Sequence, residues 1–135
     1  MMGMARGLER ELAGGLVTRH DLPEINWIHA DRTFDSIPFK KDFSKLFSNT
    51  GIIRTLSFAI SREKSRDLPF EKGFPPGTKV HFGHCDASFI KESVFNVEEC
   101  VVYLCGPNPF MAAMTAALGS LGVLKKLILV ENFEY

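Results

Sequence analysis

The chain has 135 residues, 45% of them hydrophobic and 24% charged, the balance of an ordinary soluble globular domain long enough to bury a core. Sixteen basic residues stand against sixteen acidic ones, so no net field attracts nucleic acid or an anionic membrane surface, and any anion site must be a local arrangement. No apolar run approaches the ~18 residues of a membrane span. The N-terminal stretch lacks a signal-peptide hydrophobic region, and three cysteines without metal-like spacing point to reduced thiols in an intracellular compartment, cytoplasmic or organellar.

The periodicity predicts a helix over residues 1 to about 14. Met4, Leu8 and Leu12 stand at i+4 steps with Met1 and Ala5 alongside, Arg6, Glu9, Arg10 and Glu11 fill the other face, and Gly14-Gly15 ends it. Asp21-Leu22-Pro23-Glu24 is a turn into a strand over Ile25 to Ala30, and Asp31-Arg32-Thr33 leaves its carboxyl end. A helix is expected from Phe34 to Phe47, interrupted early by Pro38, with Phe39, Phe43, Leu46 and Phe47 as its buried stripe. From Gly51 a further strand carries Ile52, Ile53, Leu56, Phe58 and Ile60 and ends at Ser61-Arg62.

Pro75-Pro76-Gly77 marks a loop, and Asp86 is placed to cap a short helix through about Val94. His81, His84 and Cys85 cluster, but a metal site needs about four ligands and no second cluster supplies the rest, so no metal is expected. Asn96-Val97-Glu98-Glu99 is a polar linker into an apolar strand, Val101 to Leu104, that runs into Cys105-Gly106-Pro107. A helix follows from near Asn108, with Met111, Met114, Ala117 and Leu118 at helical spacing and Gly119 and Gly122 around its end. Lys125-Lys126 complements its C-terminal dipole, and a last strand, Leu127 to Val130, leads to Glu131-Asn132-Phe133-Glu134-Tyr135.

Strand end, turn and helix start therefore meet at Cys105. In open parallel sheets ligands lie beyond the carboxyl ends of the strands. Gly106 lets a flat ligand approach the backbone, and Asn108 is placed to cap the helix. The plainer alternative for this junction is a buried cysteine followed by a turn, and for Arg32 an ordinary surface charge.

Cys105-Gly106-Pro107-x-x-Phe110-Met111, followed near the chain end by Val130-Glu131-x-Phe133, resembles the C-terminal, pyridine-nucleotide-binding half of the ferredoxin-NADP reductase family. Phe58-Ala59-Ile60-Ser61-Arg62-Glu63 resembles the plant-type strand that ends in Ser-Arg-Glu. With the first helix, the resemblance spans nearly the whole chain and implies one NAD(P)-binding domain over residues 1–135, an α/β three-layer doubly wound parallel sheet.

The resemblance also implies roles. Cys105 would pack against the nicotinamide and Glu131 would assist near the reaction centre. Gly106 and Pro107 would form the floor beneath the dinucleotide, and Phe110 and Met111 would anchor the helix. Phe133 or Tyr135 would be the terminal aromatic that covers a flavin. Arg32 would reach a phosphate or ribose. Ser61 and Arg62 would read a 2′-phosphate, a task that calls for a hydroxyl donor and a planar guanidinium fork. The family's Gly-Gly-Arg-x-Tyr segment is not matched; Lys79 and His81 take comparable places after Gly77, with Arg66 and Lys72 as further cations. NADP(H) is thus favoured over NAD(H), and FAD or FMN enters only through a flavin-binding barrel that this chain lacks.

The family's first strand, the central one, would precede residue 1. Its loss would leave the strands near Trp27 and Val102 with facing edges unpaired, forfeiting about ten ladder hydrogen bonds at ~1 kcal/mol each, comparable with the ~5–15 kcal/mol that holds a domain folded. The expectation is a fragment or mis-called start, a strand supplied by a partner, or direct closure of the flanking strands. Partners implied are a dinucleotide, a flavin-binding domain or electron-transfer protein, and a second copy of the chain joined through open strand edges. The rival functions are a nucleotide-sensing or interaction module and a thiol enzyme using Cys105. The Ser61-Arg62 and Cys105 segments are expected to end neighbouring parallel strands on one rim.

Overall fold

The structure is a computed structural model that describes residues 24–38, 40–49, 51–63 and 73–132. The expected helix over residues 1 to 14, Phe39, Arg66, Lys72, Phe133 and Tyr135 lie outside the described residues. The chain divides into two compact units, Met1–His84 and Cys85–Tyr135.

In the first unit, β1 (Ile25–Asp31), β2 (Ile53–Ile60) and β3 (Lys79–Phe82) form a parallel sheet with β2 in the middle. A strand with neighbours on both sides and cover on both faces can be apolar without alternation, and β2 is buried from Leu56 to Ile60. Polar Asn26 of β1 is accommodated because it faces Thr55, whose hydroxyl donates to the Asn26 Oδ1 at 2.6 Å. The core is largely aromatic. Phe34, Phe43 and Phe58 are each 0% exposed, and Phe58 lies 4.7 Å from Phe74 and 5.5 Å from Phe43 between ring centroids. Such pairs add about 0.5–1.5 kcal/mol each beyond the area they bury.

The helix expected from Phe34 begins later. It runs as α1 (Lys40–Ser44) and continues as a π-helical turn, Lys45–Asn49. Pro38 explains the delay: it disfavours helical backbone at Ile37 and has no amide to donate. Before it, Thr33 and Ser36 close a local turn through their hydroxyls, 2.6 Å apart, and the Ile37 amide donates to the Phe34 carbonyl. Phe43 and Leu46 are buried as the stripe requires, Phe47 packs against the core from a half-buried position, and Phe34 and Ile37 join them from the turn.

In the second unit, Asp86 caps α2 (Ala87–Ser93), its carboxylate accepting the Phe89 amide at 2.8 Å. The linker forms a 3-10 turn, Val97–Glu99, entered through Asn96 at φ 50°. β4 (Val102–Gly106) and β5 (Ile128–Asn132) pair in parallel, and α3 (Asn108–Ser120) packs on both strands. The buried face of α3 is Met111, Met114 and Leu118. It ends in a Schellman motif, with the Val123 amide on the Leu118 carbonyl, the Gly122 amide on the Gly119 carbonyl, and Gly122 at φ 89°. Asn108 does not cap this helix: it is the first helical residue, and Pro107 stands at the cap position without a side-chain bond. A proline there fixes the backbone while removing an amide, so the start is set by geometry instead of by a capping oxygen.

The molecule is therefore α/β with exclusively parallel ladders among the described residues. β1 and β4, the strands that carry Trp27 and Val102, belong to separate sheets, and among the described residues each has a ladder partner on one side only. Contrary to expectation, the Ser61-Arg62 and Cys105 segments do not end neighbouring strands, because β2 pairs with β1 and β3, and β4 pairs with β5. On β4 and β5 the cross-strand pair Tyr103 and Leu129 is 49% and 45% exposed, a partly open apolar face. No helix among the described residues is long and apolar enough to cross a membrane.

Two substitutions separate core from cap in urea unfolding. Phe58→Ala should cost roughly 3–5 kcal/mol and Asp86→Ala about 1 kcal/mol. A loss below ~1 kcal/mol for Phe58→Ala would contradict the assignment of the aromatic cluster as the core of the first unit.

Candidate functional site

Parallel strands deliver all their carboxyl ends to one side of a sheet. In the first unit the ends are level, since Asp31 pairs with Ile60 and Ile60 with Phe82. The ladder then runs on past the strands. The Ser61 amide donates to the Asp31 carbonyl at 3.0 Å, the Arg62 amide to the Arg32 carbonyl at 2.8 Å, and the Gly83 amide to the Ile60 carbonyl at 2.8 Å. Two separate loops are thereby held in register, so that Arg32 and Arg62, both exposed, leave adjacent backbone positions. Among the described residues neither guanidinium forms an ion pair.

The acids nearby are engaged elsewhere. Asp31 accepts the Arg32 amide at 2.8 Å through one carboxylate oxygen and meets His29 Nε2 at 3.2 Å through the other. Glu63 accepts the Phe34 amide at 2.9 Å. The Ser61 hydroxyl is half-buried and lies 3.5 Å from the Asp31 carbonyl, a contact at the limit of a hydrogen bond that leaves it free to turn toward a ligand. This arrangement offers two fixed positive charges and a hydroxyl at one strand-end rim, the donor set of an oxyanion. Lys79 does not join it: paired with Ser57, it stands at the amino end of β3. Among the described residues no group of three or more His, Cys, Asp or Glu is placed to hold a metal ion.

In the second unit the register brings Cys105 opposite Glu131 and Gly106 opposite Asn132 at the carboxyl ends of β4 and β5. Cys105 and Glu131, 26 positions apart by their numbering, are thus cross-strand neighbours. Burial, and then the Glu131 carboxylate, push the Cys105 thiol above its ordinary range. A raised thiol carries less thiolate and is the weaker nucleophile, so the shift favours contact through the sulfur over attack by it. Gly106 is buried at φ 156°, and a Cβ there would lie 2.7 Å from Phe110 Cδ1, so the Phe110 ring covers the glycine closely. Pro107 is exposed at the start of α3, and Met111 is 7% exposed in the core beneath it. Within this motif, then, Met111 and Gly106 serve the fold, since the Phe110 ring takes the place expected for a flat ligand over the glycine, and half-buried Cys105 and exposed Pro107 form the strand-end surface.

The bond between Glu63 and Phe34 is not legible as a site feature because it depends on two loops meeting across a register, and the contact between His29 and Asp31, two positions apart on β1, because it depends on side-chain geometry along one strand. The Ser61-Arg62-Glu63 run was the only hint of the first.

No known protein-family profile matches the chain. It is similar to the flavohemoproteins of Bordetella pertussis, Bordetella parapertussis and Bordetella bronchiseptica, each 28% identical over 120 residues that cover 87% of this chain and 27% of the relative. The chain thus spans about a quarter of the length of these curated relatives.

Two measurements check the local chemistry. Burial and the neighbouring Asp86 push the Cys85 thiol up to about 11. The folded state then holds a proton that the unfolded chain releases near 8.5, so stability is full below that pH and falls as pH rises toward about 11. Urea unfolding across this range should show the decline, and Cys85→Ala should flatten it; an equal slope in both proteins would contradict the assignment. Gly106→Ala should cost roughly 1–3 kcal/mol through backbone strain and displacement of the Phe110 ring, and an unchanged urea midpoint would show that the ring is not packed there.

Proposed function

We propose that this chain is the pyridine-nucleotide-binding half of an NAD(P)H-dependent flavin oxidoreductase, with its sheets belonging to a doubly wound, three-layer arrangement. The observation that carries the reading is the pair of arginines, Arg32 and Arg62, that have no ion-pair partner among the described residues and leave adjacent backbone positions at parallel strand ends. Similarity to proteins whose name declares a flavin supports the redox class.

Each cluster is given a role by its own chemistry, within its own unit. Arg32, Ser61 and Arg62 suit the phosphate-bearing adenosine end, with Arg62 and Ser61 favouring NADP(H) over NAD(H). Cys105 and Pro107, on either side of the buried Gly106, offer a weakly polar surface that suits a nicotinamide ring, with Glu131 beside it as hydrogen-bond acceptor. Phe133 or Tyr135 is proposed as the aromatic that covers the flavin. The flavin, FAD or FMN held by a domain outside these residues, would supply the electron-accepting chemistry. What the chain itself contributes is binding and orientation. The edges of β1 and β4 that have no ladder partner among the described residues, and the exposed pair Tyr103 and Leu129, favour contact with such a domain, an electron-transfer protein or a second copy of the chain.

Calorimetric titration with NADP+ and NAD+ tests the assignment. Charge-assisted hydrogen bonds to a phosphate contribute about 1.5–3 kcal/mol, so Arg62→Ala should weaken NADP+ binding roughly ten- to hundredfold while leaving NAD+ binding unchanged. Absence of binding to either nucleotide by the folded wild-type chain would overturn the reading, and equal losses for both nucleotides would remove the 2′-phosphate role of Arg62.

A further inference from the structure

Arg32 and Arg62 act as a pair only while their loops keep a fixed spacing. Two backbone hydrogen bonds hold that spacing as far as Arg62. The next link across the two loops is made by a side chain: Glu63 Oε2 accepts the Phe34 amide at 2.9 Å, from a residue 29 positions away in the sequence. Phe34 is a fixed point. It is 0% exposed, with its ring 5.8 Å from Phe74 and 6.0 Å from Phe82, and the hydroxyls of Thr33 and Ser36 close the turn around it. The loop that carries Arg32 is therefore anchored in the core, and Glu63 fastens the loop that carries Arg62 to it.

We propose that Glu63 is a positioning residue, holding the Arg62 guanidinium beside that of Arg32 through its bond to the Phe34 amide. This rests on the phosphate-binding reading of the rim. The role needs an acceptor oxygen at the end of a four-bond reach, and it does not need a negative charge, which by itself would oppose an anion nearby. Charge and reach can be separated. Glu63→Gln keeps the acceptor and removes the charge, Glu63→Asp keeps the charge and shortens the reach, and Glu63→Ala removes both.

The experiment is calorimetric titration of wild type and the three variants with NADP+ and NAD+, each confirmed as folded by its thermal unfolding. The expected result is that Asp and Ala weaken NADP+ binding about tenfold with NAD+ unchanged, whereas Gln stays within about threefold of wild type. A role in folding alone would not move the ratio of the two affinities. The inference is overturned if Asp binds NADP+ as wild type does, if Gln is as weak as Ala, or if both nucleotides lose affinity equally. Should wild type bind neither nucleotide, the phosphate-binding reading itself fails, and the inference with it.

Discussion

Two backbone hydrogen bonds decide what the first unit can do. They run from the Ser61 amide to the Asp31 carbonyl and from the Arg62 amide to the Arg32 carbonyl, continuing the β1–β2 ladder past the last strand residues. Each is worth only about 1 kcal/mol net. Their consequence is geometric: two loops separated by about 30 residues become a single rim, with two exposed arginines leaving neighbouring backbone positions. That extension depends in turn on the central burial of β2 and on the aromatic cluster of Phe34, Phe43, Phe58 and Phe74 that grips the sheet. The acids that would neutralise the rim are turned to other work, Asp31 toward its own loop amide and His29, Glu63 toward Phe34.

The second unit repeats the principle on a smaller scale. Parallel register places Cys105 opposite Glu131 at the ends of β4 and β5, and the Phe110 ring lies over Gly106. A thiol pushed up by burial and a carboxylate carries less thiolate and is the weaker nucleophile, which fits contact with a ring better than attack on one. Gly106 has no Cβ for a physical reason of its own, since the ring of Phe110 occupies the space one would need.

Much of this was readable from residue pattern. The strands around Trp27, Phe58 and Leu104 announced themselves as short apolar runs with turn signals at both ends, and Asp86 announced its helix by a cap at the right offset. The helix expected from Phe34 was misplaced because aromatic spacing continues through Pro38 even though the backbone cannot. Asn108 was assigned to the cap because asparagine is a good capping residue, whereas the chain uses Pro107 one position earlier. Lys79 was matched to the site by its distance from Gly77 along the chain, and strand register, invisible in a single sequence, sets it at the other end of β3. Glu63 was hidden for the same reason: its partner, Phe34, lies across two loops.

The central claim is that the rim after β1 and β2 takes a phosphate of a nucleotide. Its most direct test is an amide NMR titration of the folded chain with adenosine 2′,5′-bisphosphate, set against adenosine 5′-monophosphate. The account expects saturable shifts at Arg32, Ser61 and Arg62 with the bisphosphate, much weaker with the monophosphate. Shifts confined to other segments, or the same response to both nucleotides, would contradict it.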